Sequence, residues 1–260
     1  MINNGLYKTM SNEMYHADKG SISTSLIKKM ANTFAHADYA LHSEFEQTAA
    51  MQLGTVFHDL VLEDGMGFEV QPDVNARTKA GKATLADFKE LNEGKLIVKQ
   101  EVVDTARMMR ESVYKHTTAS ALLKSGDAEM SIFWDHKGQQ LRCRPDFYNT
   151  ANVVVDLKSA IDASPAGFAK AVANFGYDLQ EAIYRDGVTT QLEVKDFVFI
   201  VTDNKPPHLT AVYRLKTEDV LKARDKYHRL LSGWKACNEF EYFTGYSDDI
   251  VTLDLPGWYK

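Results

Sequence analysis

Residues 143 to 160, CRPDFYNTANVVVDLKSA, hold two acids and a lysine, Asp146, Asp156 and Lys158, in a stretch otherwise rich in β-branched and aromatic residues. Charges are rarely withdrawn from water unless they are paired, bound to a metal or used. Side chains alternate faces along a strand, so Asp156 and Lys158 share one face while Val155 and Leu157 take the other. A turn over Asn149 to Asn152 closes an antiparallel hairpin with Asp146 across from positions 155 and 156, to within a residue. Equal counting from the centre of a second turn, His136 to Gln139, sets Glu129 close to Asp146. Three carboxylates that close repel one another unless a cation lies among them, and hard carboxylate oxygens suit Mg²⁺ or Mn²⁺ better than zinc. A lysine beside such a site can position or deprotonate an attacking water and offset charge growing on a phosphate. With the polarising effect of metal ions, these are the parts of a phosphodiester hydrolase. Asp-x-Lys alone is usually a surface ion pair; the specific signal is its combination with Pro145-Asp146, the apolar run Val153 to Val155, and Glu129.

The elements that must position these groups are legible from periodicity. From Ser21 to about Lys124 the patterns are mostly helical: STSLIKKMANTF starts with serines able to cap, and Leu53, Val56, Phe57, Leu60 and Val61 make one continuous apolar face. TLADFKELNEG predicts a helix closed by Gly94, and Glu101 to Lys124 a long helix stopped by Gly126. AEMSIFWD, QQLRCRPDFY and NVVVDLKS then predict three strands in a meander, separated by turn-forming HKG and NTAN. Two helices follow in SPAGFAKAVANFG and DLQEAIYRDGV, two strands in DFVFIVTD and LTAVYRLK, and a long closing helix from Thr217. The expected fold is α/β, a central mixed sheet flanked by helices. One domain over 1–260 is expected, with a helical part to about residue 125 and the catalytic sheet and helices after it.

The 260 residues are 44% hydrophobic and 25% charged, ordinary for a globular protein. No apolar run is long enough for a membrane span, and the polar start lacks the features of a signal peptide, so a cytoplasmic protein with no membrane partner is expected. Cys143 and Cys237 stand far apart, without the close pairs that hold zinc or an iron–sulfur cluster, and are expected to be reduced core residues. A net charge of −6 argues against a protein that coats nucleic acid, though not against one that grips it locally.

RPDFY followed by VVVDLKSA resembles the PD-(D/E)xK nuclease superfamily, with Asp146 and Asp156 as its acids and Lys158 as its lysine. GTVFHDLVLE is similar to the G-x-x-x-H helix of the RecB-like branch, which maps a metal-ligating histidine onto His58, and QEAIY to its Q-x-x-x-Y helix, giving Gln180 and Tyr184. Over almost the whole chain the sequence resembles the RecE (exonuclease VIII) family of C-terminal nuclease domains, through SNEMYHADKGSISTSLIKKM, NARTKAGK, AEMSIFW, CRPD, YDLQEAIYRDG and LPGW. The resemblance implies a Mg²⁺-dependent 5′-to-3′ exonuclease on double-stranded DNA with free ends, leaving 3′ single-stranded tails for recombination. It also implies a ring-shaped homotetramer and an annealing partner of the RecT type. Two ions per site are expected, with Mn²⁺ able to substitute, held by His58, Asp146, Asp156 and the Leu157 backbone carbonyl. Because the chain begins where the nuclease begins, a stand-alone phage or prophage version, or an excised domain, is expected.

Each remaining residue has a plainer alternative. A histidine on an apolar helix is more often a satisfied core group than a ligand, and only the motif reverses this for His58. Gln180 and Tyr184, four apart on one helix face, could cap the core; in the functional reading Gln180 bonds the substrate backbone or the lysine, and Tyr184 packs by the scissile phosphate. Arg142 and Arg144 share a strand face with Asp146 if the strand is regular, and either neutralise the acids or bind phosphate. Arg77, Lys79 and Lys82 lie in a basic segment read as a flexible loop, either solvated or clamping a 5′ phosphate. Phe68, Trp134, Tyr148 and Trp258 are left out of the site, and His16, His36, His42 and His116 show no partners in the sequence. Rival readings are a structure-specific or restriction-type endonuclease of the same fold, or a non-catalytic DNA-binding module.

Overall fold

A computed structural model describes residues 2–43, 47–63 and 65–255; Trp258 and most of LPGW lie outside them. In chain order the elements begin with Gly5–Tyr7 (β1), Asn12–Ala17 (α1), Ile22–Ser23 (β2), Thr24–Met30 (α2), Phe34–His42 (α3) and Ala49–Leu62 (α4). Phe68–Val70 (β3), Lys79–Leu91 (α5), Leu96–Val98 (β4), Gln100–Lys115 (α6) and Thr117–Leu122 (α7) follow. Gly126–Ala128 (β5), Ser131–His136 (β6), Gln139–Cys143 (β7), Phe147–Asn149 (β8) and Val153–Ala160 (β9) form the strand-rich stretch. Pro165–Phe175 (α8), Tyr177–Thr189 (α9), Asp196–Asp203 (β10), Thr210–Tyr213 (β11) and Thr217–Phe240 (α10) close the described chain.

The strands make a five-stranded mixed sheet, β11-β10-β9-β8-β5, a four-stranded sheet, β1-β6-β7-β2, and a small parallel pair, β3-β4. β9 is central in the five-stranded sheet, parallel to β10 and antiparallel to β8. Its alternation is used on both sides. Val155 and Leu157 join the apolar layer beneath α4, α6 and α7 with Phe57, Met109 and Val113. Val154 faces the opposite layer, built with α2, α9, α10 and the four-stranded sheet. A strand buried on both faces must be apolar nearly throughout, so the charges of β9 stand out chemically as well as in sequence.

The expected meander is present, but its first hairpin is bent and shared between two sheets. Lys137 and Gly138 both take positive φ, 54° and 79°, as a two-residue turn matching strand twist requires. From that turn His136 pairs with Gln139 and Ile132 with Cys143, and beyond a break the same register resumes with Ala128 opposite Phe147 and Gly126 opposite Asn149. The break falls at Glu129, whose φ of 51° turns the chain out of one sheet into the other. One ladder bond survives there, from the Glu129 N–H to the Asp146 carbonyl at 3.0 Å. Helix α9 approaches this hairpin through Gly187, where a Cβ would stand 2.6 Å from the Trp134 ring; close packing there sets the height of α9 over β9.

Two expectations are corrected. The single helix expected over 101–124 is two, because His116 leaves helical geometry and its Nδ1 accepts the Ala119 N–H at 3.2 Å, capping α7. That gives His116 a partner the sequence did not show. NARTKAGK is not a loop throughout: Thr78 caps α5 by accepting the Gly81 N–H, so Lys79 and Lys82 lie on its first turn. β1 to β4 are two or three residues each, too short for a period to register. Among the described residues no helix is long and apolar enough to cross a membrane.

Candidate active site

The bend of the hairpin is where the acids meet. Continuing the β8–β9 pairing of Phe147 with Val155 by one step brings Asp146 opposite Asp156, and Glu129 lies across from Asp146 on the other side. The strands splay at this step, and the Asp146 carboxylate turns back to accept the Leu157 N–H at 2.6 Å. From the α4 side His58 enters between them. Its Nε2 lies 3.0 Å from the Leu157 carbonyl oxygen and its Nδ1 3.6 Å from the Asp146 carboxylate. His58, Glu129 and Asp146 each offer a ligand atom within 4.8 Å of the others.

This donor set fits a hard divalent cation. It combines carboxylates, one imidazole and a backbone carbonyl, with no sulfur. His58 Nε2 and the Leu157 oxygen stand at hydrogen-bond distance, 3.0 Å, so both would face a bound ion from the same side of the acids. The carboxylates are electrostatically loaded. Burial, and then the Asp146 charge beside it, push Glu129 up to about 8, with Arg144 partly opposing.

Asp156 sits one step deeper. It is 0% exposed, and a carboxylate so placed is costly unless paired and hydrogen-bonded. Lys158 ion-pairs with it on the same face of β9, as alternation predicts, and Gln180 of α9 donates Nε2–H to its Oδ1 at 2.6 Å. Burial raises the Asp156 carboxyl to about 6, against the pull of Lys158. Burial works against the Lys158 charge too, but Asp156 and Asp146 outweigh it and hold its pKa above the ordinary value. Each charge of the pair thus favours the other. Without an ion Asp156 is held by Lys158 and Gln180, one strand step from the group of His58, Glu129 and Asp146.

Tyr184, one turn beyond Gln180, packs in the apolar layer against Phe197, ring centroids 6.4 Å apart, and burial pushes its phenol well up. The bend separates β7 from β8, so Arg142 and Arg144 do not stand on one regular strand with Asp146, although both line the cleft with Glu129 and Arg144 lowers the Glu129 carboxyl. Arg142 pairs with Asp18 at 2.8 Å. Arg144 donates to Ser131 Oγ at 2.9 Å, the Met10 carbonyl at 2.8 Å and Asn12 Oδ1 at 3.2 Å. Both guanidiniums lie over the Tyr15 ring, at 5.0 and 4.5 Å from its centroid, so they fasten α1 to the sheet. Arg77, Lys79 and Lys82 are exposed around the start of α5, outside the walls of the cleft that leads to the acids.

That cleft, about 2600 Å³, runs between the N-terminal segment, α2 to α4 and the far end of α5, and reaches His58 and Glu129. Lys19, Lys29 and Lys89 are basic groups on its walls. Sequence reasoning named none of them, since isolated lysines on polar helix faces carry no periodic signal. It also missed Lys28, whose Nζ donates to Gln180 Oε1 at 2.9 Å. Lys28 follows two buried apolar residues of α2, Leu26 and Ile27, and reads as a solvated position.

No curated protein matches this sequence. Among solved structures, the chain is similar to the crystal structure of a protein from Eubacterium rectale described as a candidate exonuclease. The TM-score is 0.61 at 14% identity, over 95% of this chain and 96% of that one, a likeness of fold. Residues 23–255 match the family model described as a PDDEXK-like domain of unknown function (DUF3799). With the hairpin, His58 and the Asp156–Lys158 pair set in that fold, the chain belongs to this PDDEXK-like family, within the PD-(D/E)xK nuclease superfamily.

Proposed function

We propose that the protein is a Mg²⁺-dependent deoxyribonuclease that degrades linear double-stranded DNA from its ends. The observation that carries this reading is the meeting of His58, Glu129 and Asp146 at the bend, one strand position from the buried Asp156–Lys158 pair. His58, Glu129, Asp146 and the Leu157 carbonyl would hold the ion, with Mn²⁺ favoured as a substitute by the imidazole. A bound divalent ion polarises the phosphate and lowers the pKa of water.

The chain's own residues do the remainder. Lys158, kept charged by Asp156 and Asp146, acts as an ammonium: Nζ–H donates toward the attacking water or a phosphate oxygen and stabilises the charge gathering there. Asp156 fixes Nζ in place, and Gln180 fixes Asp156. The open cleft with Lys19, Lys29 and Lys89 receives the DNA backbone.

The 5′-to-3′ direction, the 3′ single-stranded product, the ring-shaped tetramer and an annealing partner of the RecT type belong to the proposal through the RecE-like motifs alone. The test is digestion of linear duplex, labelled at either 5′ or 3′ ends, beside a covalently closed plasmid, in Mg²⁺, Mn²⁺ and chelator. Stepwise loss of linear duplex from the 5′ ends, an intact circle and no reaction in chelator are expected. A cut circle would replace the exonuclease with an endonuclease, and no cutting of any DNA would end the nuclease reading.

A further inference from the structure

We infer that Lys28 is a positioning residue of the active site, acting through Gln180 to orient the Asp156–Lys158 pair. Its catalytic consequence rests on the nuclease reading; the geometry does not.

The two ends of the Gln180 amide have nearly the same shape, so only their partners decide which way the group faces. Nε2 faces Asp156 Oδ1 at 2.6 Å, and Oε1 faces Lys28 Nζ at 2.9 Å. An ammonium has three donors and no acceptor, and a carboxylate only accepts. Turning the amide over would set NH₂ against NH₃⁺ at one end and oxygen against oxygen at the other. Lys28 and Asp156 thus lock Gln180 from opposite sides: donation runs from Lys28 through Gln180 to Asp156, which accepts from Lys158 on its other oxygen.

Lys28 is itself held. Its Nζ lies 5.0 Å from the centroid of the Tyr177 ring, over which Lys158 Nζ also lies, at 4.7 Å. Its stem runs past the α8–α9 junction at Gly176. The neighbouring Lys29 lines the cleft, while Lys28 is absent from its walls. A residue reaching the site from behind serves orientation, not contact with DNA.

The test compares Lys28→Met, Lys28→Arg, Gln180→Ala and the Lys28→Met/Gln180→Ala double variant by steady-state digestion of linear duplex. Their Gln180 side-chain amide protons, where present, are followed by NMR hydrogen exchange. Lys28→Met is expected to lower kcat by about 10–100-fold, the usual cost of losing an outer support, with KM for DNA unchanged, and Lys28→Arg to recover most of it. The double variant should be no worse than Gln180→Ala, because both act on one chain of bonds. The Gln180 amide protons should exchange slowly in the wild type and fast in Lys28→Met. Unchanged kcat and amide exchange in Lys28→Met, or losses that multiply in the double variant with a raised KM, would overturn the inference. If the wild type cuts no DNA, the nuclease reading fails, and the amide exchange still decides whether Lys28 orients Gln180.

Discussion

The backbone N–H of Leu157 donates to the Asp146 carboxylate at 2.6 Å, across the point where β8 and β9 part. The Leu157 carbonyl meets His58 Nε2 at 3.0 Å. One residue of β9 thus orients an acid through its N–H and an imidazole through its oxygen. Asp146→Ala removes the partner of this N–H and a ligand atom together. Its expected result is loss of the rise in Tm that Mn²⁺ gives the wild type, measured by calorimetry with and without the ion.

Glu129 contributes to the pH dependence of the metal-free protein. Its carboxyl is raised to about 8 in the folded state, first by burial and then by Asp146. The folded protein therefore binds more protons than the unfolded chain between about pH 4.5 and 8, and stability falls as pH rises through that window. Glu129→Gln should be more heat-stable than wild type at pH 8 without metal, by a few degrees in Tm. The two should converge near pH 4.5, and divalent ion should cancel the advantage at pH 8. Thermal melts across this range measure it.

Lys158 neutralises a carboxylate that water does not reach. Lys158→Met should abolish DNA digestion and also destabilise the fold by about 3–5 kcal/mol, the usual cost of orphaning a buried charge. Asp156→Asn should abolish digestion with less loss of stability. Urea unfolding beside the digestion assay separates the two effects.

How far the sequence went depends on how local each determinant is. The two-residue turn at Lys137-Gly138 fixes register along its whole hairpin, so counting from it placed Glu129 opposite Asp146 even across the bend. Strand alternation likewise placed Asp156 with Lys158. The bend was illegible, because it depends on Glu129 adopting a left-handed backbone that nothing in AEMSIFW announces. Arg142 and Arg144 were read on the acids' face by assuming a regular strand through Asp146. Lys28 lies 152 residues from Gln180, and a single side-chain hydrogen bond at that separation leaves no periodic trace.

Arg144 carries a prediction that separates architecture from DNA binding. It holds the Met10 carbonyl, Asn12 and Ser131, so Arg144→Ala should expose the N-terminal segment to limited proteolysis. Because Arg144 also lines the cleft, a shallower salt dependence of DNA binding in the same variant would add a phosphate contact to that structural role. Lys29→Ala and Lys89→Ala, on the cleft walls, should leave proteolysis unchanged and make the slope of log K against log salt shallower by about 0.9 for each phosphate no longer neutralised.

The central claim is that the bend gathers a divalent ion. Anomalous diffraction from crystals of the wild type and of Asp146→Ala, both grown in Mn²⁺, tests it most directly. The account predicts a peak bounded by His58, Glu129, Asp146 and the Leu157 carbonyl in the wild type and its loss in the variant. Wild-type crystals saturated with Mn²⁺ that show no peak among these residues would contradict it.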